Sequence, residues 1–184
     1  MSLSFSKTEI EGIWLIEPSV YGDYRGQFLE AFREKVFSEK GLISQYVQDN
    51  ISVSKKETVR GLHYQKPPFA QAKLVMAIKG AILDVAVDIR RNSPTFGKYV
   101  SKVLSDENRN IMYVPPGFAH GFSVLSESAT VFYKCNDYYN KQAERGIKWD
   151  DPDLNIDWQV IEPVVSEKDQ KLPFLNKLIT DDLF

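Results

Sequence analysis

The chain contains two histidines, and each stands in a glycine-flanked, aromatic-rich segment: Arg60-Gly61-Leu62-His63-Tyr64-Gln65 and Pro115-Pro116-Gly117-Phe118-Ala119-His120-Gly121-Phe122. Imidazole titrates near neutrality, which suits it to carrying protons to and from carbon. Arg60, Lys73 and a string of tyrosines accompany the pair, a set suited to an anionic ligand. The glycine and proline punctuation places both histidines in turn-rich segments. Removing a proton beside a carbonyl requires a base poised near neutral pH and a donor facing the developing enolate oxygen. His63 fits the base, and Lys73 fits the cation at that oxygen. Tyr133 shares strand parity with Val131 and Cys135, so its hydroxyl can face a barrel interior and return a proton from the opposite side. Base and acid on opposite faces invert a stereocentre.

These groups need a rigid frame, and the middle of the chain reads as strands at 74–78, 81–89, 97–104, 111–114 and 130–135, separated by Gly, Pro, Asn and Ser. Short strands at such spacing predict an antiparallel β domain, closed or two-sheeted. Between 81 and 89 the odd positions are apolar, while Asp84 and Asp88 fall on the other parity, so one face of this strand is expected to meet the core. Helix signals are confined to 30–40, closed by Gly41, and to Ser166-Glu167-Lys168-Asp169, a helix start leading toward Leu172 and Leu175. The expected fold is mainly β, an antiparallel jelly-roll barrel with short flanking helices.

A chain of 184 residues that is 43% hydrophobic can bury a substantial core and is read as a single domain spanning 1–184. A net charge of -2 argues against a nucleic acid or an anionic membrane as partner, so any anion must be held by a few local cations. The single cysteine, Cys135, excludes an intrachain disulfide and points to the cytoplasm. The N-terminal segment carries Lys7, Glu9 and Glu11 and lacks a signal peptide's apolar stretch.

The run Pro115 to His120 has the form Pro-x-Gly-x-x-His and resembles the second conserved segment of the cupins, small jelly-roll barrels. Metal-binding cupins carry two histidines two residues apart in their first segment. Here the matching place reads His63-Tyr64-Gln65, so no metal is expected, because the remaining ligands fall short of a usual shell.

A more specific resemblance is carried by an ordered set of blocks: Gly22-Asp23-Tyr24-Arg25-Gly26-Gln27-Phe28-Leu29-Glu30, Gln48-Asp49-Asn50, Arg60 to Gln65, Gln71-Ala72-Lys73-Leu74-Val75, Asp84 to Arg90, Ser93-Pro94-Thr95-Phe96-Gly97, Gly117 to Phe122 and Tyr133-Lys134. From about residue 13 to residue 169 the chain resembles the dTDP-4-dehydrorhamnose 3,5-epimerase family of cupin-type isomerases. That resemblance implies epimerisation at C3 and C5 of dTDP-4-dehydro-6-deoxy-D-glucose through an enolate, without a cofactor. It implies His63 as general base with Asp169 as its dyad partner, Tyr133 as acid, and Lys73 and His120 beside the keto sugar. Arg25 and Arg60 are implied as diphosphate ligands, with Lys168 as a further cation. Glu30, Gln48 and Asn50 are implied as nucleotide contacts, Tyr139 as the ring stacked on thymine and Glu144 as another substrate contact. Some of these contacts would come from the neighbouring subunit of a homodimer.

Plainer roles exist for several of these residues. Asp169 stands three residues after Ser166, where a helix-capping acid would stand. The tyrosines can be core or rim aromatics, and the two arginines surface ion-pair partners. Asp84 and Asp88 are expected as polar residues of a sheet face, with Asp84 the nearer to the site. Asn140-Lys141 follows Tyr138-Tyr139 where many relatives carry a proline, so the loop bearing Tyr139 can differ in shape. Competing readings are a mono-epimerase acting on a related nucleotide-linked sugar, a metal-dependent oxygenase and a non-catalytic nucleotide-sugar binder.

Overall fold

The computed structural model describes residues 2–184, apart from the side chain of Thr180. β1 (Leu3–Lys7) and β2 (Trp14–Pro18) open the chain, β3 (Val20–Asp23) and β4 (Gly26–Leu29) form a hairpin, and α1 (Glu34–Glu39) follows. The body is built from β5 (Gln48–Lys55), β6 (Thr58–Gln65), β7 (Lys73–Lys79), β8 (Ala81–Asp88), β9 (Tyr99–Ser105), β10 (Ile111–Val114), β11 (Phe118–Val124) and β12 (Ser128–Cys135). β13 (Glu144–Gly146), β14 (Val164–Val165) and α2 (Glu167–Gln170) complete it. One sheet runs β1-β2-β10-β7-β12-β5 and the other β13-β6-β11-β8-β9, with β14 added in parallel beside β6. The remaining pairings are antiparallel, which gives the expected jelly-roll architecture with short helices.

Between the sheets Val75, Ala77, Met112 and Val131 of one pack against Ile82, Ala86, Val100 and Phe122 of the other. Each sheet is also covered on its outer side. Phe37 of α1 closes over Ile16, Leu74 and Tyr113, while Trp158, Leu154 and Leu175 from the C-terminal stretch cover Leu83, Val85 and Val87. β8 is therefore buried on both faces, where its alternation predicts one. The odd residues meet the C-terminal cover and the even ones, Asp84 included, face the space between the sheets.

The structure departs from the sequence expectations elsewhere. The helix expected over 30–40 spans only Glu34–Glu39; Arg33 is extended at φ -143°, and Ala31 and Phe32 reach the outer cluster without helical turns. The second helix ends at Gln170 instead of running toward Leu175, because Pro173 disfavours helical geometry at the residue before it. Asp88 is fully buried rather than a sheet-face residue. It accepts from Arg90, Ser93 and Thr95 and ties down the turn between β8 and β9. Burial alone would raise its pKa, but these donors outweigh that and hold it at about 2. Among the described residues no helix is long and apolar enough to cross a membrane.

Candidate active site

Both histidines lie within strands, not in turns: His63 on β6 faces His120 on β11 across a register pair. Continuous burial of β11 erases the alternation that would mark a strand, and Gly121 together with Gly117 just before the strand reads as punctuation. The pairing carries one irregularity. His120 opposes His63 and Phe122 opposes Arg60, so Gly121 stands across from both Gly61 and Leu62. In a regular strand residues 60 and 63 would face opposite sides; the extra residue turns both toward the space between the sheets. Leu62 goes outward instead, into the C-terminal cover.

Glycine is required at this crossing. Gly61 has φ +121°, and a Cβ there would lie 2.6 Å from the Cα of Gly121. A Cβ on Gly121 would lie 2.6 Å from the carbonyl oxygen of Arg60.

Around this bulge lies a cavity of about 530 Å³ lined by Arg60, His63, Lys73, His120, Tyr133, Lys168 and Asp169. Lys73 enters from the start of β7 on the parity of Val75 and Ala77, and Tyr133 from β12 on the parity of Val131. β12 pairs Tyr133 with Asn50 and Cys135 with Gln48, so β5 brings both polar side chains to the same side. They line an adjoining cavity of about 320 Å³ with Tyr139 and Glu144, and His63, Lys73 and Tyr133 border both spaces.

Ser166 does cap α2, accepting from the Asp169 N–H at 3.1 Å, but the Asp169 carboxylate is used elsewhere. Its Oδ1 lies 2.7 Å from His63 Nε2, and its Oδ2 accepts from the Gly61 N–H at 3.2 Å. Burial pushes the Asp169 pKa up, yet the hydrogen bond and electrostatic pull of His63, the Gly61 N–H and Lys168 together hold it below the usual carboxylate value. With Nε2 bound to Asp169, Nδ1 is the ring nitrogen left for a substrate proton. A second pair stands opposite: His120 Nε2 lies 2.8 Å from Asp84 Oδ1, both buried. Burial lowers the His120 pKa despite Asp84, and Lys73 and His63 push it the same way. Burial likewise lowers Lys73, while Cys135, Asp84 and Glu144 oppose the loss of its charge. Burial raises the Tyr133 pKa, so the phenol keeps its proton.

Arg60 is steadied by donating to Ser54 Oγ at 3.0 Å. Glu144 accepts from Tyr139 at 2.9 Å and lies 2.6 Å from Lys168 Nζ. Burial raises the Glu144 pKa, but those two donors outweigh it and hold the group below its usual value. Arg25 and Glu30 are not among the lining residues. Arg25 sits at the tip of the β3–β4 hairpin, 74% exposed and ion-paired with Asp23, and Glu30 pairs with Arg33. Sequence reasoning missed Ser52, Ser54 and Gln71, which line the cavities or steady their walls. Only the β5–β12 register and the loop pairings reveal them. Among the described residues no three His, Cys, Asp or Glu side chains gather as a metal shell.

A family model described as dTDP-4-dehydrorhamnose 3,5-epimerase matches residues 7–177. The chain is 53% identical to the dTDP-4-dehydrorhamnose 3,5-epimerase of Shigella flexneri over 89% of its own length and 91% of the relative's. A crystal structure of dTDP-6-deoxy-D-glucose-3,5-epimerase from Legionella pneumophila, in complex with dTDP-4-keto-L-rhamnose, superposes with a TM-score of 0.95 at 46% identity, covering 99% of this chain and 97% of that one. The corresponding enzyme of Elizabethkingia anophelis superposes at 0.91 with 50% identity over 95% and 97%. Matches of this extent, on a jelly roll whose central cavity is lined by a histidine paired with a buried aspartate, leave one assignment: the chain belongs to the dTDP-4-dehydrorhamnose 3,5-epimerase family.

Proposed function

We propose that His63 and Tyr133 exchange protons with a sugar held between them, in an isomerase that epimerises C3 and C5 of dTDP-4-dehydro-6-deoxy-D-glucose to give dTDP-4-dehydro-L-rhamnose. The C4 ketone acidifies both neighbouring C–H bonds. His63 Nδ1 removes a proton from C3, and the C–H electron pair moves into an enolate whose oxygen faces Lys73. Tyr133 then delivers its proton to C3 from the other face. Exchange with solvent restores the imidazole and the phenol, and the same cycle follows at C5. Asp169 orients the ring and stabilises the imidazolium. The observation that carries this reading is the Asp169 carboxylate on Nε2, which leaves Nδ1 available beside a cavity that Tyr133 also lines.

Arg60 and Lys168 hold the diphosphate, His120 contacts the sugar, and Gln48, Asn50, Tyr139 and Glu144 hold the nucleotide end, with Tyr139 stacked on thymine. The enzyme works as a cytoplasmic homodimer in which Arg25 and Glu30 serve the cavity of a second copy. Exposed Ile51 and Val53 on the free edge of β5 favour such pairing.

Incubation with the keto sugar in heavy water, followed by NMR, tests the assignment. Deuterium should enter at C3 and C5, and His63→Ala should abolish the exchange while leaving dTDP affinity within a few-fold. Exchange that survives His63→Ala would overturn the role of the base, and exchange at one carbon alone would make the chain a mono-epimerase.

A further inference from the structure

Gln65 stands two residues after His63, on the same strand parity, and is 4% exposed. It occupies the place of the second metal histidine in metal-binding cupins, yet its amide is spent on the protein's own backbone. Nε2 donates to the Phe69 carbonyl at 2.7 Å and to the Tyr138 carbonyl at 3.2 Å, while Oε1 accepts from the Asn140 N–H at 2.6 Å. Two donors and one acceptor in a plane are available only from a carboxamide, and this network fixes which end is nitrogen. The three partners belong to two loops, 66–72 and 136–143, that meet above the adjoining cavity. The same seam is closed by Gln71 Nε2 donating to the Asp137 carbonyl at 2.7 Å and by Asn136 Oδ1 accepting from the Ala72 N–H at 2.6 Å.

Tyr139 lies between the two residues of loop 136–143 that Gln65 grips. Its own N–H donates to Gln48 Oε1 at 2.9 Å, and Gln48 donates to Asn50 at 3.0 Å. The backbone around this exposed ring is therefore fixed on one side by β6 and on the other by β5.

We propose that Gln65 is a positioning residue that sets the affinity for the nucleotide end of the substrate by fixing the loop that carries Tyr139. This rests on the reading of Tyr139 as the platform for the base. The hydrogen bonds of Gln65 go to Phe69, Tyr138 and Asn140 and not to His63, Asp169 or Tyr133, so proton transfer is expected to survive its loss.

Gln65→Glu is nearly isosteric and, as a carboxylate, removes both donors and leaves two partly buried carbonyls unpaired. It should raise the dTDP dissociation constant and the substrate KM about tenfold, with kcat changed by less than about threefold, since an unpaired buried group costs roughly that much. Tyr139→Ala should weaken dTDP binding by itself, and adding Gln65→Glu to it should cost little more, because the first acts through the second. Unchanged dTDP affinity in Gln65→Glu beside weakened Tyr139→Ala, or full additivity in the double variant, overturns the proposal alone. Wild-type affinity in Tyr139→Ala overturns the reading beneath it. If Gln65→Glu does not fold, Gln71→Ala, which opens the same seam at a partly exposed position, should show the same KM rise with kcat preserved. A fall in kcat with KM unchanged there would overturn the proposal.

Discussion

Asp169 serves two donors at once, and that double duty separates it from a helix cap. Its carboxylate accepts from Gly61 and holds His63 Nε2, residues more than a hundred positions away in sequence. In Asp169→Asn the amide can meet one of the two with its oxygen and must present an N–H to the other. The imidazolium that forms on proton abstraction also loses its counter-charge. We expect kcat to fall about a hundredfold or more, in line with the loss of general-base catalysis, with KM nearly unchanged because Asp169 does not reach the nucleotide end. Steady-state kinetics decide this. A raised KM at intact kcat would make Asp169 a binding residue. The Ser166–Asp169 spacing was legible in the sequence as a helix start, and Ser166 does cap. Where the carboxylate points depends on β14 bringing α2 against β6, a contact between distant segments that no local pattern encodes.

At the scale of elements the site depends on the bulge where β6 crosses β11. Gly121→Ala would set a methyl 2.6 Å from the Arg60 carbonyl and 3.2 Å from the Gly61 Cα, both backbone atoms that cannot rotate away. The strands must part, at a cost of about 1–3 kcal/mol for overpacking, which most folded domains of this size survive. Because parting them moves Arg60 and His63 together, kcat/KM should drop by at least tenfold, about one order beyond anything explained by unfolding at a temperature well below the melting midpoint. Kinetics and thermal melts on one preparation test this; a lowered midpoint with full kcat/KM would leave the bulge a purely structural device. The bulge also explains which elements were hard to read. β8, β10 and β12 were legible through alternation and β-branched content. β6 and β11 were not, because each carries a glycine at the crossing that reads as turn punctuation and the bulge breaks the alternation of β6, so the residues that make the site also disguise its strands. Over 30–40 the apolar residues suit a helix, but Ala31 and Phe32 are drawn onto the outer sheet face before the helix begins.

The whole molecule leaves two proposed ligand residues stranded, and their position is informative. The β3–β4 hairpin stands away from the sheets with Tyr24 97% exposed, and none of its residues lines either cavity. If Arg25 contributes to diphosphate binding in the proposed homodimer, it does so in trans. Two inactive variants can then repair each other. Arg25→Ala alone damages every site and His63→Ala alone abolishes every site. In a mixed dimer the subunit carrying Arg25→Ala keeps its own His63 and receives an intact Arg25 from its neighbour. Its partner site lacks both groups. Random association of co-expressed variants makes half the dimers mixed, each with one complete site, so activity should recover to about a quarter of wild type for an isologous pair. Arg25 acting in its own subunit, or not at all, gives no recovery above the single variants. Gel filtration of the co-expressed sample places the expected species at twice the 21.1 kDa chain mass. A monomeric elution with full activity would sink the dimer and the trans role together.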